Sequence, residues 1–176
     1  MKTSKKNPKH VAIVMDGNGT WSIKNNLHKK EGHKKGVQTA KKIISCAVDL
    51  SIKNITLFAL SNENLNRSKL ELKNLFDIFF YSFSEEKEYL KDSKIKIKFI
   101  GDLQKLPKRL KEKAFILEDE TKNNKKLNLF IALNYGGKQD INQAVKKLLD
   151  HGGKNKSFED FLYSKDLPEV DLLIRT

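Results

Sequence analysis

The chain of 176 residues contains one cysteine, one tryptophan, three prolines and, among 35 cationic side chains, only three arginines. A single Cys46 excludes an internal disulfide and any cysteine-clustered metal site. Its apolar neighbours Ile43, Ile44, Ala47 and Val48 on a helical stretch predict a buried, inert thiol. No apolar run reaches the length of a membrane span, and the run after the basic start (residues 1 to 9) is too short for a signal-peptide core. Both absences predict a cytoplasmic protein. There is no Gly-x-x-x-x-Gly-Lys-Ser/Thr loop, and Gly17-Asn-Gly19 lacks the third glycine of a dinucleotide fingerprint, so neither common nucleotide fold is indicated.

What the chain has in excess is positive charge. Its formal net charge is +13 and its pI about 9.7, a balance that favours phosphate-bearing partners or peripheral contact with an anionic membrane surface. The lysines are scattered like a solvated face. Arg67, Arg109 and Arg175 are different, because a planar fork binds two phosphate oxygens where lysine offers a point charge. A basic nucleic-acid-binding domain is the rival reading of the charge. It lacks clustered arginine and an aromatic stacking platform, so no nucleic-acid partner is expected.

Strand-like apolar runs at 11 to 15, 55 to 60, 95 to 100, 127 to 133 and 170 to 174 alternate with helical patterns at 33 to 50, 69 to 90, 106 to 121 and 139 to 150. That rhythm predicts an α/β fold with a central parallel sheet flanked by helices, in one domain over 1 to 176. A short helix is expected near Ser157 to Tyr163, N-capped by Ser157, after a surface loop at residues 152 to 156. Leu72, Leu75, Phe76, Phe79, Phe80 and Phe83 form an apolar stripe along the helix from Lys69, wide enough to bury against the sheet with surface to spare.

The chemistry-bearing residues gather at strand ends. In His10-Val-Ala-Ile-Val-Met-Asp-Gly-Asn-Gly-Thr-Trp21, a buried-type strand delivers Asp16 and a glycine turn to the carboxyl edge of the sheet. Open α/β sheets bind diphosphates and metal ions there. Leu60-Ser-Asn-Glu-Asn-Leu-Asn-Arg67 follows a second strand and precedes a helix, which predicts one crevice shared by the two ends. Taken alone, Asn64 and Arg67 also fit a helix cap and a surface ion pair, and His33 fits an exposed helix start.

Together with Gly32-His33-Lys34-Lys35-Gly36, Asn134-Tyr135-Gly136-Gly137 and Asp171-Leu-Leu-Ile-Arg-Thr176, these segments resemble, in order, the undecaprenyl diphosphate synthases among the cis-prenyltransferases. The resemblance implies a transferase that condenses isopentenyl diphosphate onto farnesyl diphosphate with cis geometry and Mg²⁺. Its product is a lipid carrier precursor for cell-wall polysaccharide, and the complete protein is a homodimer at the inner membrane surface. Asp16 then matches the catalytic metal-binding aspartate, and Gly17, Asn18, Gly19, Thr20, Trp21, Lys29 and His33 the diphosphate pocket. Ser61, Asn62, Glu63, Asn64, Leu65 and Arg67 match the substrate-contacting loop, where Asn64 stands at the catalytic position given a proton-relay or acceptor role, and Arg67 and Arg175 grip diphosphate oxygens; an amide is a poor base, so side-chain chemistry favours Asn64 as an orienter, with the proton going to Asp16 or a phosphate oxygen. Ala59, Leu75, Ile78, Ile95 and Leu127 are expected to line a hydrophobic tunnel.

No Asp-Asp-x-x-Asp sequence of the trans-prenyltransferases is present, so Glu118-Asp-Glu120 reads as a charged helix face. Two departures from the family pattern stand out: Thr20 occupies the place of an arginine, and Leu65 that of a tryptophan. The family continues past the position of Thr176 with an Arg-x-Ser clamp, a metal-binding glutamate and a last strand. A domain without that part is expected to bind an allylic diphosphate weakly and to condense little. A non-catalytic partner subunit is the alternative within the family; it fits Thr20 but not the retained Asp16.

Overall fold

A computed structural model describes residues 7–85, 93–152 and 155–176. Five strands, β1 (His10–Val14), β2 (Asn54–Ser61), β3 (Ile95–Ile100), β4 (Leu127–Tyr135) and β5 (Leu172–Arg175), form one parallel sheet in the order β3-β4-β2-β1-β5. The helices are α1 (Asn18–Lys24), α2 (Lys29–Asp49), α3 (Lys69–Glu85), α4 (Lys108–Thr121) and α5 (Gly137–Asp150). The expected α/β architecture is the observed one.

Parallel strands covered on both faces read as continuous apolar runs, and β2 and β4 do so. On one face Ile55, Leu57, Leu129 and Leu133 meet Ala40, Ile44 and Ala47 of α2, Leu75, Phe79 and Phe83 of α3, and Leu110, Ala114 and Leu117 of α4. The opposite face carries a smaller cluster of Ile100, Phe130 and Ala132 with Phe58, Tyr135 and Leu167. Beside it Asp140, buried in the first turn of α5, accepts hydrogen bonds from the Tyr163 and Ser164 backbone N–H groups at 2.7 and 3.3 Å and from the Ser164 hydroxyl at 2.8 Å. A buried carboxylate satisfied this way fastens the chain between α5 and β5 to the sheet.

Three local expectations change. Cys46 is exposed, not buried, because the helical period that turns Ala40, Ile44 and Ala47 inward leaves position 46 outside. The segment after 157 forms a single 3₁₀ turn, Glu159–Phe161, and Ser157 is no cap; its own N–H donates to Asp160 at 2.8 Å. α2 begins at Lys29, ahead of the expected 33, and the glycine turn after Asp16 continues into α1, a helix the glycine content had hidden. Of the helix expected over 69 to 90, residues 86 to 90 lie outside the described residues, as do 153 and 154 of the expected surface loop.

Candidate active site

At the carboxyl end of β1 the backbone turns sharply at Gly17, whose φ of 82° is a left-handed conformation that glycine adopts without strain. The turn aims the Asp16 side chain outward. Its Oδ1 accepts the Gly17 N–H at 2.8 Å, and its Oδ2 accepts the Arg175 guanidinium at 2.7 Å from the end of β5. The Arg175 hydrogen bond, then the Gly17 N–H, then the arginine charge hold the carboxyl below its usual range. Asp16 is therefore a carboxylate at neutral pH. The Thr176 hydroxyl completes the junction, accepting the Asp16 N–H at 3.1 Å and donating to the Asp16 carbonyl at 3.0 Å.

Facing Asp16, α1 crosses α2 at two glycines four residues apart. A Cβ at Gly32 would stand 2.1 Å from the Asn18 carbonyl oxygen, and one at Gly36 2.7 Å from the Asn18 amide nitrogen. This close crossing puts His33 on the cavity wall, half-buried, with a buried Nε2 that has no hydrogen-bond partner. Burial, then the nearby Arg67 charge, lower the His33 pKa, so the ring is neutral at neutral pH.

The second wall comes from the end of β2. A register irregularity between Phe58 and Leu60 leaves Ala59 without a partner in β4 and turns it into the cavity. A 3₁₀ turn, Glu63–Asn66, follows; the Asn64 N–H donates to the Ser61 hydroxyl at 3.2 Å and the Ser61 N–H to Asn64 Oδ1 at 3.4 Å. Ser61 thus orients Asn64. Arg67 pairs with Glu71 at 2.8 Å, and Lys29 approaches the same carboxylate at 3.6 Å.

These groups surround a cavity of ≈ 520 Å³ with two chemically distinct ends. Asp16, Lys29, His33, Asn64, Arg67 and the Gly17–Thr20 turn form its polar mouth, while Ala59, Leu60, Leu75, Ile78 and Phe79 form an apolar floor. Other residues singled out in the sequence lie elsewhere. Trp21 is 40% exposed on α1, Asn62 and Glu63 open into a neighbouring cavity with Lys105 and Gly136, and Leu65 packs against the main core. Ile95 and Leu127 are fully buried among core side chains and do not line the cavity.

Glu71 and Thr176 were missed in the sequence. The first had a readable signal, its i,i+4 spacing from Arg67; a terminal hydroxyl gives none. Among the described residues no group of three or more His, Cys, Asp or Glu could hold a metal ion by itself. A divalent cation at Asp16 must therefore complete its shell with ligand oxygens and water, which is how Mg²⁺ usually binds phosphates.

Residues 14–176 match the Prenyltransf family model, described as undecaprenyl diphosphate synthase. An isoprenyl transferase of Fusobacterium nucleatum is 38% identical over 172 residues, covering 96% of this chain and 74% of the relative. A ditrans,polycis-undecaprenyl-diphosphate synthase, (2E,6E)-farnesyl-diphosphate specific, of Legionella pneumophila is 40% identical over 178 residues, covering 96% and 75%. Among solved structures, lavandulyl diphosphate synthase of Lavandula x intermedia in complex with dimethylallyl diphosphate superposes with a TM-score of 0.86 at 34% identity, over 96% of this chain and 77% of that one.

Proposed function

The chain belongs to the undecaprenyl diphosphate synthase family of prenyltransferases, and from that premise we propose that it condenses isopentenyl diphosphate onto farnesyl diphosphate with cis geometry. The observation that carries this reading is the division of one cavity into a polar mouth, with an arginine, a lysine, a carboxylate and helix-start amides, and an apolar floor. An allylic diphosphate is an amphiphile of matching polarity. Its tail gains about 25 cal/mol per Å² of apolar surface removed from water, and its head meets the arginine, lysine and helix-start amides suited to phosphate oxygens.

In this reading Arg67, Lys29 and the helix-start N–H groups of Asn18, Gly19 and Thr20 hold the allylic diphosphate, and the unpartnered Nε2 of His33 faces it as a further polar contact. Asp16 would hold Mg²⁺, which would neutralise charge developing on the departing diphosphate. The carbon–oxygen bond of the allylic diphosphate breaks as the terminal alkene carbon of isopentenyl diphosphate bonds to the allylic carbon. The proton lost from the methylene carbon next to that alkene, which forms the new double bond, passes to Asp16 or a phosphate oxygen. Asn64, an amide and so a poor base, orients the isopentenyl group, and Arg175 grips a diphosphate from the β5 side. Mg²⁺ dependence, a pair of copies as the working unit and action in the cytoplasm at a membrane surface belong to the same proposal; no helix among the described residues is long and apolar enough to cross a membrane.

Calorimetry with a non-reactive farnesyl thiodiphosphate, alongside transfer of label from isopentenyl diphosphate, tests the reading. Saturable, Mg²⁺-dependent binding tighter than that of inorganic diphosphate and weakened by Arg67→Ala is expected. Equal affinity for the two ligands would mean that the floor takes no prenyl tail.

A further inference from the structure

Arg175 reaches Asp16 from β5, a strand of four residues paired with β1. A slip of one residue in strand register turns every side chain to the opposite face. The pairing sets Val11 against Leu172 and Val14 against Arg175, the register in which the guanidinium meets Asp16.

At the start of the strand that register is held by His10. This side chain is wholly buried, 6.0 Å from the Phe130 ring, and nearly all its polar groups engage the four residues leading into β5. The His10 N–H donates to Asp171 Oδ2 at 2.9 Å, beside the Lys9 N–H at 2.8 Å, and the His10 carbonyl accepts the Asp171 N–H at 3.1 Å. Nδ1 lies 2.9 Å from the Pro168 carbonyl oxygen and 3.1 Å from that of Glu169. Two carbonyl acceptors require a proton on Nδ1, and Nε2, 2.8 Å from the Thr56 hydroxyl on β2, then accepts its hydrogen. A donor on Nδ1 can meet both carbonyls only when Pro168 and Glu169 lie where they do. The ring is thus a pin running from β2 through β1 to the lead-in of β5.

We propose that His10 is the positioning residue that sets the register of β5 and thereby stations Arg175 beside Asp16. The functional consequence rests on the reading of Arg175 as a diphosphate ligand; the structural one does not. His10→Leu removes all three polar contacts of the ring, Thr56→Val removes only the partner of Nε2, and His10→Asn keeps an N–H donor near the place of Nδ1.

Amide hydrogen exchange measured on the folded protein should show protection of residues 171–175 falling at least about tenfold in His10→Leu, less in Thr56→Val and least in His10→Asn, with β2 and β4 unchanged; one lost buried hydrogen bond is commonly worth a factor of this size. In parallel, KM for the diphosphate that Arg175 grips should rise about tenfold in His10→Leu and a few-fold in Thr56→Val, with KM for the other substrate held within about twofold. If His10→Leu does not fold, Thr56→Val and His10→Asn still rank the effect. Unchanged exchange in 171–175 in Thr56→Val, or uniform loosening of the whole sheet, overturns the proposal. Selective loosening of β5 in a parent protein that binds farnesyl thiodiphosphate no more tightly than inorganic diphosphate upholds the pin and instead overturns the reading of the site as a synthase.

Discussion

The two outermost strands of the described sheet, β3 and β5, are held by different kinds of contact. At β3 the outward backbone groups are covered by side chains from α4 and the turn after it: the Ile97 N–H donates to the Thr121 hydroxyl at 3.0 Å, the Phe99 N–H to Glu118 Oε1 at 2.6 Å, and the Ile95 carbonyl accepts the Asn124 amide at 2.8 Å. Ile95, Ile97 and Phe99 point into the core, which fixes the register. At β5 polar anchors tie the start of the strand to His10, and the Thr176 hydroxyl ties its end to Asp16. The closed β3 edge is a stability device, since an unpaired edge templates association. β5 carries the arginine that meets the catalytic carboxylate of the proposed site. Stability and chemistry are therefore assigned to different strands of one sheet, and substitutions at the two should separate them.

The largest effect is expected where Arg175 of β5 meets Asp16. Asp16→Ala should lower turnover of the active protein by about 10² or more, the scale of losing a main stabiliser of transition-state charge. Because Asp16 is solvent-accessible, its thermal midpoint should hardly move. A steady-state assay beside a melting curve checks both, and a large fall in midpoint with turnover intact would reverse the assignment of the two strands.

Next in size is Thr20→Arg, on the mouth of the cavity. A guanidinium there adds a charge and a second donor to the diphosphate cradle, so farnesyl diphosphate should bind about 1–3 kcal/mol more tightly. Titration calorimetry measures this, and weaker binding would remove Thr20 from the cradle.

Thr121→Val acts at the closed edge. The Thr121 hydroxyl is buried, accepts the Ile97 N–H and donates to the Leu117 carbonyl at 2.7 Å, so its loss strands a buried donor at a cost of about 1–2 kcal/mol in stability. Denaturant unfolding should show that loss with turnover within about twofold per folded molecule.

The smallest effects are protonic. Burial raises the Glu118 carboxyl against the opposing pull of the Phe99 N–H and the Lys98 charge. The folded chain then holds that proton more firmly than the unfolded one, so this group's contribution to stability falls as pH rises from the ordinary value of 4.5 through the raised one. Glu118→Gln, which keeps an oxygen for Phe99, should flatten that part of the stability curve and change stability at neutral pH by no more than about 0.5 kcal/mol. His33 has the opposite sign: its lowered pKa contributes stability that is present above 6.5 and lost as pH falls through the folded value. A diphosphate in the mouth should raise that pKa, so ligand binding below neutral pH should take up protons. Calorimetry in buffers of different ionisation enthalpy detects the uptake, and His33→Gln should abolish it.

The strand and helix rhythm could be read from the chain because apolar period and length are local properties. Ile55, Leu57, Leu129 and Leu133 announce buried strands without any knowledge of their neighbours. Asp16, Asn64 and Arg67 were identifiable for a similar reason, each sitting just past such a strand. Gly32 and Gly36 carried a hint that went unused, since glycines four apart share one helix face and permit a second helix to approach closely. Cys46 shows the limit of counting neighbours: four apolar residues surround it in sequence, yet the helix turns it to solvent.

By itself the sequence determined the α/β class, the ends of the strands and the residue types available for a diphosphate, because these follow from side-chain chemistry over stretches of a few residues. The tertiary structure decided the strand order, the joining of Lys29 and Arg67 through Glu71, and the meeting of Asp16 with Arg175 across 159 residues of chain. It also decided that Ile95 and Leu127 are core and that Leu75 and Ile78 are cavity floor. Apolar patterning tells which side chains leave water. Which of them border an empty volume depends on how separate elements pack, and that is a property of the assembled sheet and helices alone.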